Sequence, residues 1–243
     1  LQKFDLPGDD ECPDLYPLTA DDGRTLWVYS GAHDMYFVGD FDENGLYQPI
    51  QSVGQLSYNS QSYAAQTYYY EPGKPVIRFA WNRSDIPGAP FNGSMCTPTE
   101  MTLKKHGDRY YLSALPIKST ENLVVKSDKL DDFTLTHCTH ELGSKTCRIS
   151  FTVKEGDFTC NLYGLEMKLD KNGLTCGESI LPRLKNEPMK VDIITDTNSV
   201  EIYLNGVANT VIAHVLDETK STFTIHAEDP VEVQNLTVSE LSL

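Results

Sequence analysis

The sequence predicts an all-β protein, with part of a β-propeller followed by an antiparallel β-sandwich. Helical periodicity is nearly absent from the 243 residues. Short runs alternate apolar and polar residues, and Gly, Asn, Asp and Pro separate them, which is typical of strands joined by turns. Hairpins recur about every 30 to 40 residues in the first half, a spacing compatible with four-stranded propeller blades. Two to three such blades fit before residue 117.

The first half divides into hairpins. Residues 25–31, TLWVYSG, are a predicted strand, and residues 33–50 are two strands around an Asp/Asn/Gly turn. Residues 62–82 repeat the pattern with Pro-Gly in the turn, and residues 101–116 turn at His106-Gly107-Asp108. These hairpins belong to a propeller portion placed at residues 1–120.

The character of the chain changes after Pro116. Residues 117–132 are polar and charged, which indicates a short helix or a linker and a domain boundary. Residues 121–243 are assigned to the sandwich, because about ten strands with clean alternation follow. The predicted strands lie within 147–154, 158–176 and 189–206, and the chain ends with NTVIAHVL, STFTIHAE and VEVQNLTVSEL.

An incomplete propeller exposes sheet edges and apolar faces. We therefore expect a missing N-terminal half, a homo-oligomer, or a rearrangement in which the leftover strands pack on the sandwich.

The net charge of −15 disfavours nucleic acid and anionic membrane surfaces as partners and is compatible with a neutral sugar. No apolar run is long enough to span a bilayer, and no signal peptide is visible, which leaves cytoplasmic and secreted locations open. The six cysteines include no CxxC pair, so buried free thiols are expected.

No metal or cofactor is predicted. His137, Cys138 and His140 resemble zinc ligands, but no second close pair accompanies them, although Cys147 could join. Asp40 and Asp42 are better explained by a turn than by a calcium loop.

Several motifs occur in an order that resembles one family. They are ECPDLYPL (11–18), YFVGDFD (36–42), YAAQTYY (63–69), FAWN (79–82), PFNGSMCTPTEMTL (90–103) and DTNSVEIYLNG (196–206). Together they are similar to the later motifs of glycoside hydrolase family 32, the invertase, levanase and inulinase family. The resemblance implies a five-bladed propeller with a C-terminal sandwich.

The resemblance also implies a function, the hydrolysis of β-fructosides with retention of configuration. Such chemistry needs a nucleophilic carboxylate and an acid/base carboxyl about 5 Å apart. The Glu of the ECPD motif has the acid/base role in the family, and here that residue is Glu11. Pro13 and Pro17 fix its backbone, and Leu15 and neighbouring apolar side chains would bury it partly and keep it protonated. The nearby Asp9, Asp10 and Asp14 would act in the same direction.

Asp14, Tyr63, Gln66 and Trp81 are the predicted substrate-binding residues, because aromatic faces stack on sugar rings and amides bind hydroxyls. The alternative is that Tyr63 and Trp81 are core aromatics of a blade. The run Tyr68-Tyr69-Tyr70 is better explained by strand packing.

The sequence departs from the family pattern. The motif that carries the nucleophile and the Arg-Asp-Pro motif are absent, and both lie upstream of ECPD in the family. Ser57 and Gln61 stand where acids are expected, Thr99 stands where Arg is usual, and Arg78 and Trp81 keep only part of a strand motif. These changes indicate a relaxed active site or a different sugar specificity.

Two functions follow from these observations. The first is a truncated β-fructosidase that is inactive alone and requires an N-terminal half for its nucleophile. The second is a non-catalytic module that binds a fructan or another protein. In both, the expected ligand is a fructose-containing oligosaccharide or polysaccharide.

Overall fold

A computed structural model describes residues 11–59, 61–68, 71–85 and 90–242. The predicted all-β class is confirmed, since the described chain is built from three antiparallel sheets and two short 3₁₀-helical segments. In the described part of the chain, no helix has the length and apolar character needed to cross a lipid bilayer. Asp9, Asp10, Tyr69 and Tyr70 lie outside the described residues.

The first sheet is a four-stranded meander with a short fifth strand. Its strands are β1 (Asp14–Thr19), β2 (Thr25–Ser30), β3 (Met35–Phe41), β4 (Tyr47–Pro49) and β5 (Gly54–Gln55), in the order β1-β2-β3-β4 with β5 paired to β3. Alternation decides its faces, because successive side chains of a strand point to opposite sides. The inward face is buried and apolar, and it includes Tyr16, Leu18, Leu26, Val28 and Val38.

The second sheet packs against that inward face. Its strands are β6 (Ser62–Thr67), β7 (Val76–Asn82), β8 (Ser94–Met95), β9 (Thr99–His106) and β10 (Arg109–Pro116), in the order β10-β9-β7-β6. Val76, Met101, Leu103 and Leu112 join the apolar cluster of the first sheet. The turn between β9 and β10 falls at Gly107, as predicted. The two sheets are therefore stacked blades of a partial propeller.

Residues 117–132, predicted as a short helix or a linker, form a short helical segment and a strand. A 3₁₀-helical segment runs from Lys118 to Leu123, and β11 (Val124–Lys129) follows directly. β11 pairs with the last strand of the chain, so these residues do not form a free linker.

The sandwich is one continuous hydrogen-bonded system. Its further strands are β12 (Phe133–Glu141), β13 (Cys147–Val153), β14 (Phe158–Leu162), β15 (Leu165–Asp170), β16 (Gly173–Cys176), β17 (Ser179–Leu181), β18 (Met189–Asp196), β19 (Ser199–Leu204), β20 (Ala208–Ala213) and β21 (Thr222–Leu241). The second 3₁₀-helical segment, Glu218–Lys220, precedes β21. Strict alternation in β13 turns Cys147, Ile149, Phe151 and Val153 inward to the main core.

β21 belongs to both layers of the sandwich. Its first part, around His226, pairs with β12 and β14, and its last part, around Val238, pairs with β11 and β13. One strand of 20 residues therefore connects the two layers without a break.

β19 is buried on both faces. Val200, Ile202 and Leu204 face the sandwich core, while Glu201 and Tyr203 face the propeller portion. Backbone hydrogen bonds strengthen this contact, since Tyr58 N–H donates to Asn209 O and Ala114 N–H donates to Gly206 O, both at 2.8 Å.

Candidate functional site

Glu11 lies in a short segment that precedes β1. Cys12 has a φ of +49°, a left-handed conformation that costs energy for a residue with a side chain. Two contacts hold this conformation. Ala32 N–H donates to Glu11 O at 2.9 Å, and Gln66 Nε2 donates to Cys12 O at 2.7 Å. The backbone of the predicted acid/base residue is therefore fixed from two neighbouring elements.

Asp14 contributes to the same fixation. Its Oδ2 accepts a hydrogen bond from Thr67 N–H at 2.6 Å, and its Oδ1 accepts one from Leu15 N–H at 2.9 Å. The bond from Thr67 joins the end of β6 to the start of β1. Both carboxylate oxygens of Asp14 are thus used by backbone donors.

A β-bulge in β6 brings Tyr63 and Gln66 to the Glu11 segment. The register with β7 shifts between these two residues, and Ala64 has a φ of +50°. Residues three apart on a regular strand point to opposite faces, and an extra residue removes that constraint. Tyr63 Oη donates to Glu11 Oε2, while Gln66 reaches the backbone of Cys12. The bulge therefore assembles the site.

A partly exposed wall of side chains stands beside Glu11. We call Tyr63, Trp81, His33 and Arg83 the ring wall. The Tyr63 ring lies 4.7 Å from His33 and 6.4 Å from Trp81 between centroids, and the Arg83 guanidinium carbon lies 4.3 Å from the Tyr63 centroid. Trp81 is 41% exposed, so it is not a core aromatic of the blade. An exposed ring such as that of Trp81 can stack on the apolar face of a sugar.

The Trp81 ring is positioned by a close backbone approach. Gly93 has a φ of +75°, and a Cβ there would contact the Trp81 indole nitrogen and would lie 2.8 Å from Asn82 O. Only a glycine leaves room for this indole position.

The surroundings of Glu11 differ from the sequence expectation. Its side chain is exposed, Leu15 is also exposed, and Tyr16 and Leu18 point into the core on the other face of β1. Strict alternation along β1 explains this, since neighbouring apolar residues cannot all turn to one side. The predicted apolar burial of Glu11 is therefore absent, and its described contact is the Tyr63 hydroxyl.

The departures from the family pattern fall mainly on buried positions. Ser57 is fully buried, and its Oγ has no hydrogen-bond partner in the described structure. Thr99 is buried at the start of β9. Gln61 lies closer to the ring wall, because its carbonyl oxygen accepts from Arg83 N–H at 2.9 Å.

A buried ion pair lies behind the ring wall. Arg78 and Asp34 are 4% and 3% exposed, and Arg78 Nε donates to Asp34 Oδ1 at 2.8 Å. The second guanidinium nitrogen bonds Asp34 Oδ2, and it also donates to Ser62 Oγ at 2.8 Å. Burial opposes the charge of Arg78, but the adjacent Asp34 carboxylate outweighs burial and raises its pKa.

No group of three or more His, Cys, Asp or Glu residues within the described ranges could hold a metal ion. His137 faces His226 across β12 and β21, whereas His140 lies 3.5 Å from Asp128. Asp42 forms a turn, accepting hydrogen bonds from the backbone of Asn44 and Leu46.

Comparison with known protein families gives one matching domain. Residues 5–114 match the N-terminal domain of the glycosyl hydrolases family 32. This range contains the Glu11 segment, the ring wall and both propeller sheets except the last two residues of β10.

Relatives with similar sequences are named as a fructan beta-fructosidase and a levanase. The chain is 29% identical to a fructan beta-fructosidase of Streptococcus mutans over 46% of its length, and 27% identical to a levanbiose-producing levanase of Bacillus subtilis over 58% of its length. It spans only 10% and 30% of these two relatives.

Solved structures support the fold. The chain superposes on exo-inulinase from Aspergillus awamori with a TM-score of 0.77 and 16% identity, over 100% of the chain and 59% of that structure. Beta-fructofuranosidase from Schwanniomyces occidentalis gives a TM-score of 0.77 and 18% identity, over 96% of the chain and 60% of that structure. At this identity the likeness shows the fold, a partial propeller with a sandwich.

Sequence reasoning missed the roles of His33, Asp34 and Arg83. Single residues in a turn or after a strand give no periodic signal. The contacts of His33 and Arg83 with the Tyr63 ring, and of Asp34 with Arg78, became visible only in the fold. The sequence also gives no signal for the bulge at Ala64, because alanine has no preference for positive φ.

Proposed function

Because this chain belongs to glycoside hydrolase family 32, we propose that residues 11–83 form the proton-donor side of a β-fructoside site. Glu11 would protonate the leaving oxygen of the fructosyl linkage and then activate water. The observation that carries this proposal is the hydrogen bond from Tyr63 to Glu11 beside the partly exposed ring wall. This arrangement places a hydrogen-bonded carboxyl group next to a surface that can stack on a sugar.

The substrate-binding roles differ between the predicted residues. Trp81 and Tyr63 would stack on the sugar or its aglycone. Gln66 uses Nε2 to hold Cys12 and Ala65, which leaves its Oε1 for a sugar hydroxyl. Asp14 would bind substrate only after giving up a backbone bond, so its larger contribution in this proposal is to hold the Glu11 segment in place.

Retaining hydrolysis needs a nucleophilic carboxylate about 5 Å from the acid/base group. The printed sequence lacks the nucleophile motif that the family resemblance implies. We therefore propose that these 243 residues alone give little or no turnover, because the two carboxyl groups act as a unit. A propeller portion at 1–120 and a sandwich at 121–243 are the proposed domains.

A non-catalytic sugar-binding module is the second candidate. It is favoured by the exposure of Glu11, since an acid/base carboxyl is usually tuned by partial burial. In this case the ring wall would bind a fructan without cleaving it.

The assembly of the protein is also a proposal. Leu15 and Phe41 are exposed on the outer face of the first sheet, where the Phe41 ring meets Trp27 edge-on at 5.3 Å. Such an apolar face supports association with a further blade or a second copy.

The experiment compares the wild-type chain with the Glu11→Gln variant in two assays. Hydrolysis is measured as fructose released from sucrose, inulin and levan, and binding is measured by calorimetry with fructo-oligosaccharides. Glu43→Gln, an exposed acid in the β3–β4 turn, is the matched control. We expect millimolar or tighter binding with fructose release at background. Turnover that disappears in Glu11→Gln alone would establish Glu11 as acid/base and refute the inactivity of the chain. Absence of any binding heat at millimolar ligand would refute the site.

A further inference from the structure

The turn between β2 and β3 touches the Glu11 segment directly. Asp34 N–H donates to Gly31 O at 3.1 Å, which closes the turn. From within it, Ala32 N–H donates to the carbonyl oxygen of Glu11, and the His33 ring packs edge-on against Tyr63. Tyr63 in turn donates to the Glu11 carboxylate. The turn therefore acts on both the backbone and the side chain of Glu11.

The conformation of this turn depends on Asp34. Its φ of +63° lies in the left-handed region, which is uncommon for residues with a side chain and is found more often for Asp and Asn than for the others. Its carbonyl oxygen accepts from Leu56 N–H at 3.1 Å, and its carboxylate is held by Arg78. Asp34 is thus fixed by contacts on two sides.

Arg78 connects the turn to the second sheet. It lies on β7, the strand that also carries Trp81, and it donates to Ser62 on β6. A guanidinium that binds a carboxylate through two nitrogens fixes the relative orientation of both groups as well as their distance. The pair therefore sets how the turn lies relative to the strands that bear the ring wall.

Stability alone does not account for such a pair. Removing two charges from water offsets much of their attraction, and well-packed apolar residues at such sites are often equally stable. What an apolar pair cannot reproduce is a directed, planar contact.

We propose that the buried Asp34–Arg78 pair positions Glu11, by fixing the turn at residues 31–34 against β6 and β7. The proposal rests on the proposed function for its catalytic meaning. The structural part of the proposal does not depend on catalysis, because it concerns only where the pair holds the Glu11 carbonyl and the Tyr63 ring.

The test separates positioning from stabilisation by comparing single and double variants of the full chain. Asp34→Asn and Arg78→Gln each leave one buried group without its partner, whereas the double variant places two neutral amides opposite each other. Asparagine tolerates positive φ, so the turn can still form. Arg148→Gln with Asp192→Asn, which removes the sandwich pair with a 2.6 Å contact, is the matched control.

The main measurement is the rate of hydrogen exchange at the Ala32 amide, observed by NMR. The unfolding midpoint of each variant is measured alongside it. We expect both single variants to lower the midpoint and the double variant to recover most of it. Exchange at Ala32 should remain at least tenfold faster in the double variant, while the sandwich control leaves it unchanged. A double variant with wild-type exchange at Ala32 would overturn the proposal.

A second readout applies if the chain releases fructose. The double variant should then lower kcat tenfold to about a hundredfold with little change in KM, since a small misplacement of a catalytic group affects the chemical step. An unchanged kcat would refute the positioning role. If wild-type protein neither binds nor cleaves fructosides, the proposed function fails, while exchange at Ala32 still decides the geometric proposal.

Discussion

Glu201 is a buried acidic residue at the contact between the propeller portion and the sandwich, where burying its carboxyl group costs free energy. It is 8% exposed and projects from β19 toward the second sheet. Its Oε1 accepts from Thr97 N–H at 2.8 Å and lies 2.9 Å from Thr97 Oγ1, and its Oε2 accepts from Tyr203 Oη at 2.6 Å. Burial nevertheless dominates over these donors and raises the pKa of the carboxyl above 4.5.

Replacing Glu201 with Gln should therefore have a pH-dependent effect. Between the unfolded pKa near 4.5 and the higher folded pKa, the folded state keeps a proton that the unfolded state has released. Rising pH then favours unfolding of the wild type, and this loss is absent from the variant. We expect the two proteins to be similar in stability below pH 4.5, with E201Q gaining relative to wild type as pH rises.

Urea unfolding of both proteins from pH 4 to pH 8 measures this difference. Tyr203→Phe is a second informative variant. It removes one hydrogen-bond donor to the Glu201 carboxylate and should make the stability of the protein fall more strongly as pH rises. A progressive loss of stability by E201Q above pH 4.5 would mean that the ionised carboxylate is favoured in the fold.

At the scale of elements, the strand-to-loop contact at Gly93 sets the exposed position of the Trp81 ring. Gly93→Ala should displace the indole and destabilise the protein by about 1–3 kcal/mol, from positive φ and steric overlap together. Gly45→Ala is the control, because its φ is +72° but nothing lies within 4 Å of the added Cβ.

Thermal unfolding and tryptophan emission distinguish the two variants. Both should lose stability from the backbone, but only Gly93→Ala should change the emission of Trp81. Equal effects on stability and unchanged emission would show that the Gly93 contact does not position the ring.

The elements that alternation governs were predictable from sequence. In β13 every second residue is apolar, and the turns at Gly73 and Gly107 carry residues that accept positive φ. By contrast, Asp229-Pro230 interrupts the pattern, so β21 was predicted as two strands. Pairing with strands of both layers keeps it continuous, which only the tertiary structure determines.

The candidate site was predictable only where motifs mark it. Glu11, Tyr63 and Trp81 lie in motifs and converge in the structure, but the exposure of Glu11 depends on which face of β1 each neighbour takes. The double-faced burial of β19 has the same origin, since Glu201 becomes a core residue only because a second sheet covers it.

At the scale of the whole molecule, the propeller portion and the sandwich are joined by polar contacts around a cleft of about 670 Å³. Lys104, which lines this cleft, pairs with Glu187 of the sandwich, and His106 Nδ1 lies 2.9 Å from the other Glu187 oxygen. Burial opposes the charge of Glu187, yet Lys104 and His106 outweigh it and hold its pKa below 4.5. Because this pair and the Glu201 contact both join the two parts, we expect the two parts to unfold as one cooperative unit.

Glu187→Gln should therefore reduce stability by about 1 kcal/mol at neutral pH, and the effect should disappear in acid. The contribution of a carboxyl with a lowered folded pKa is complete above the unfolded value of 4.5 and is lost as pH falls through the folded pKa. Glu232→Gln, whose exposed partner Lys154 lies within the sandwich, should change stability much less, because solvent screens this pair. Calorimetry at pH 7 and pH 3 tests this difference, and a single transition with equal calorimetric and van't Hoff enthalpies is expected for all three proteins. Two separate transitions in the wild type would show that the propeller portion and the sandwich unfold independently, and that Glu187 does not couple them.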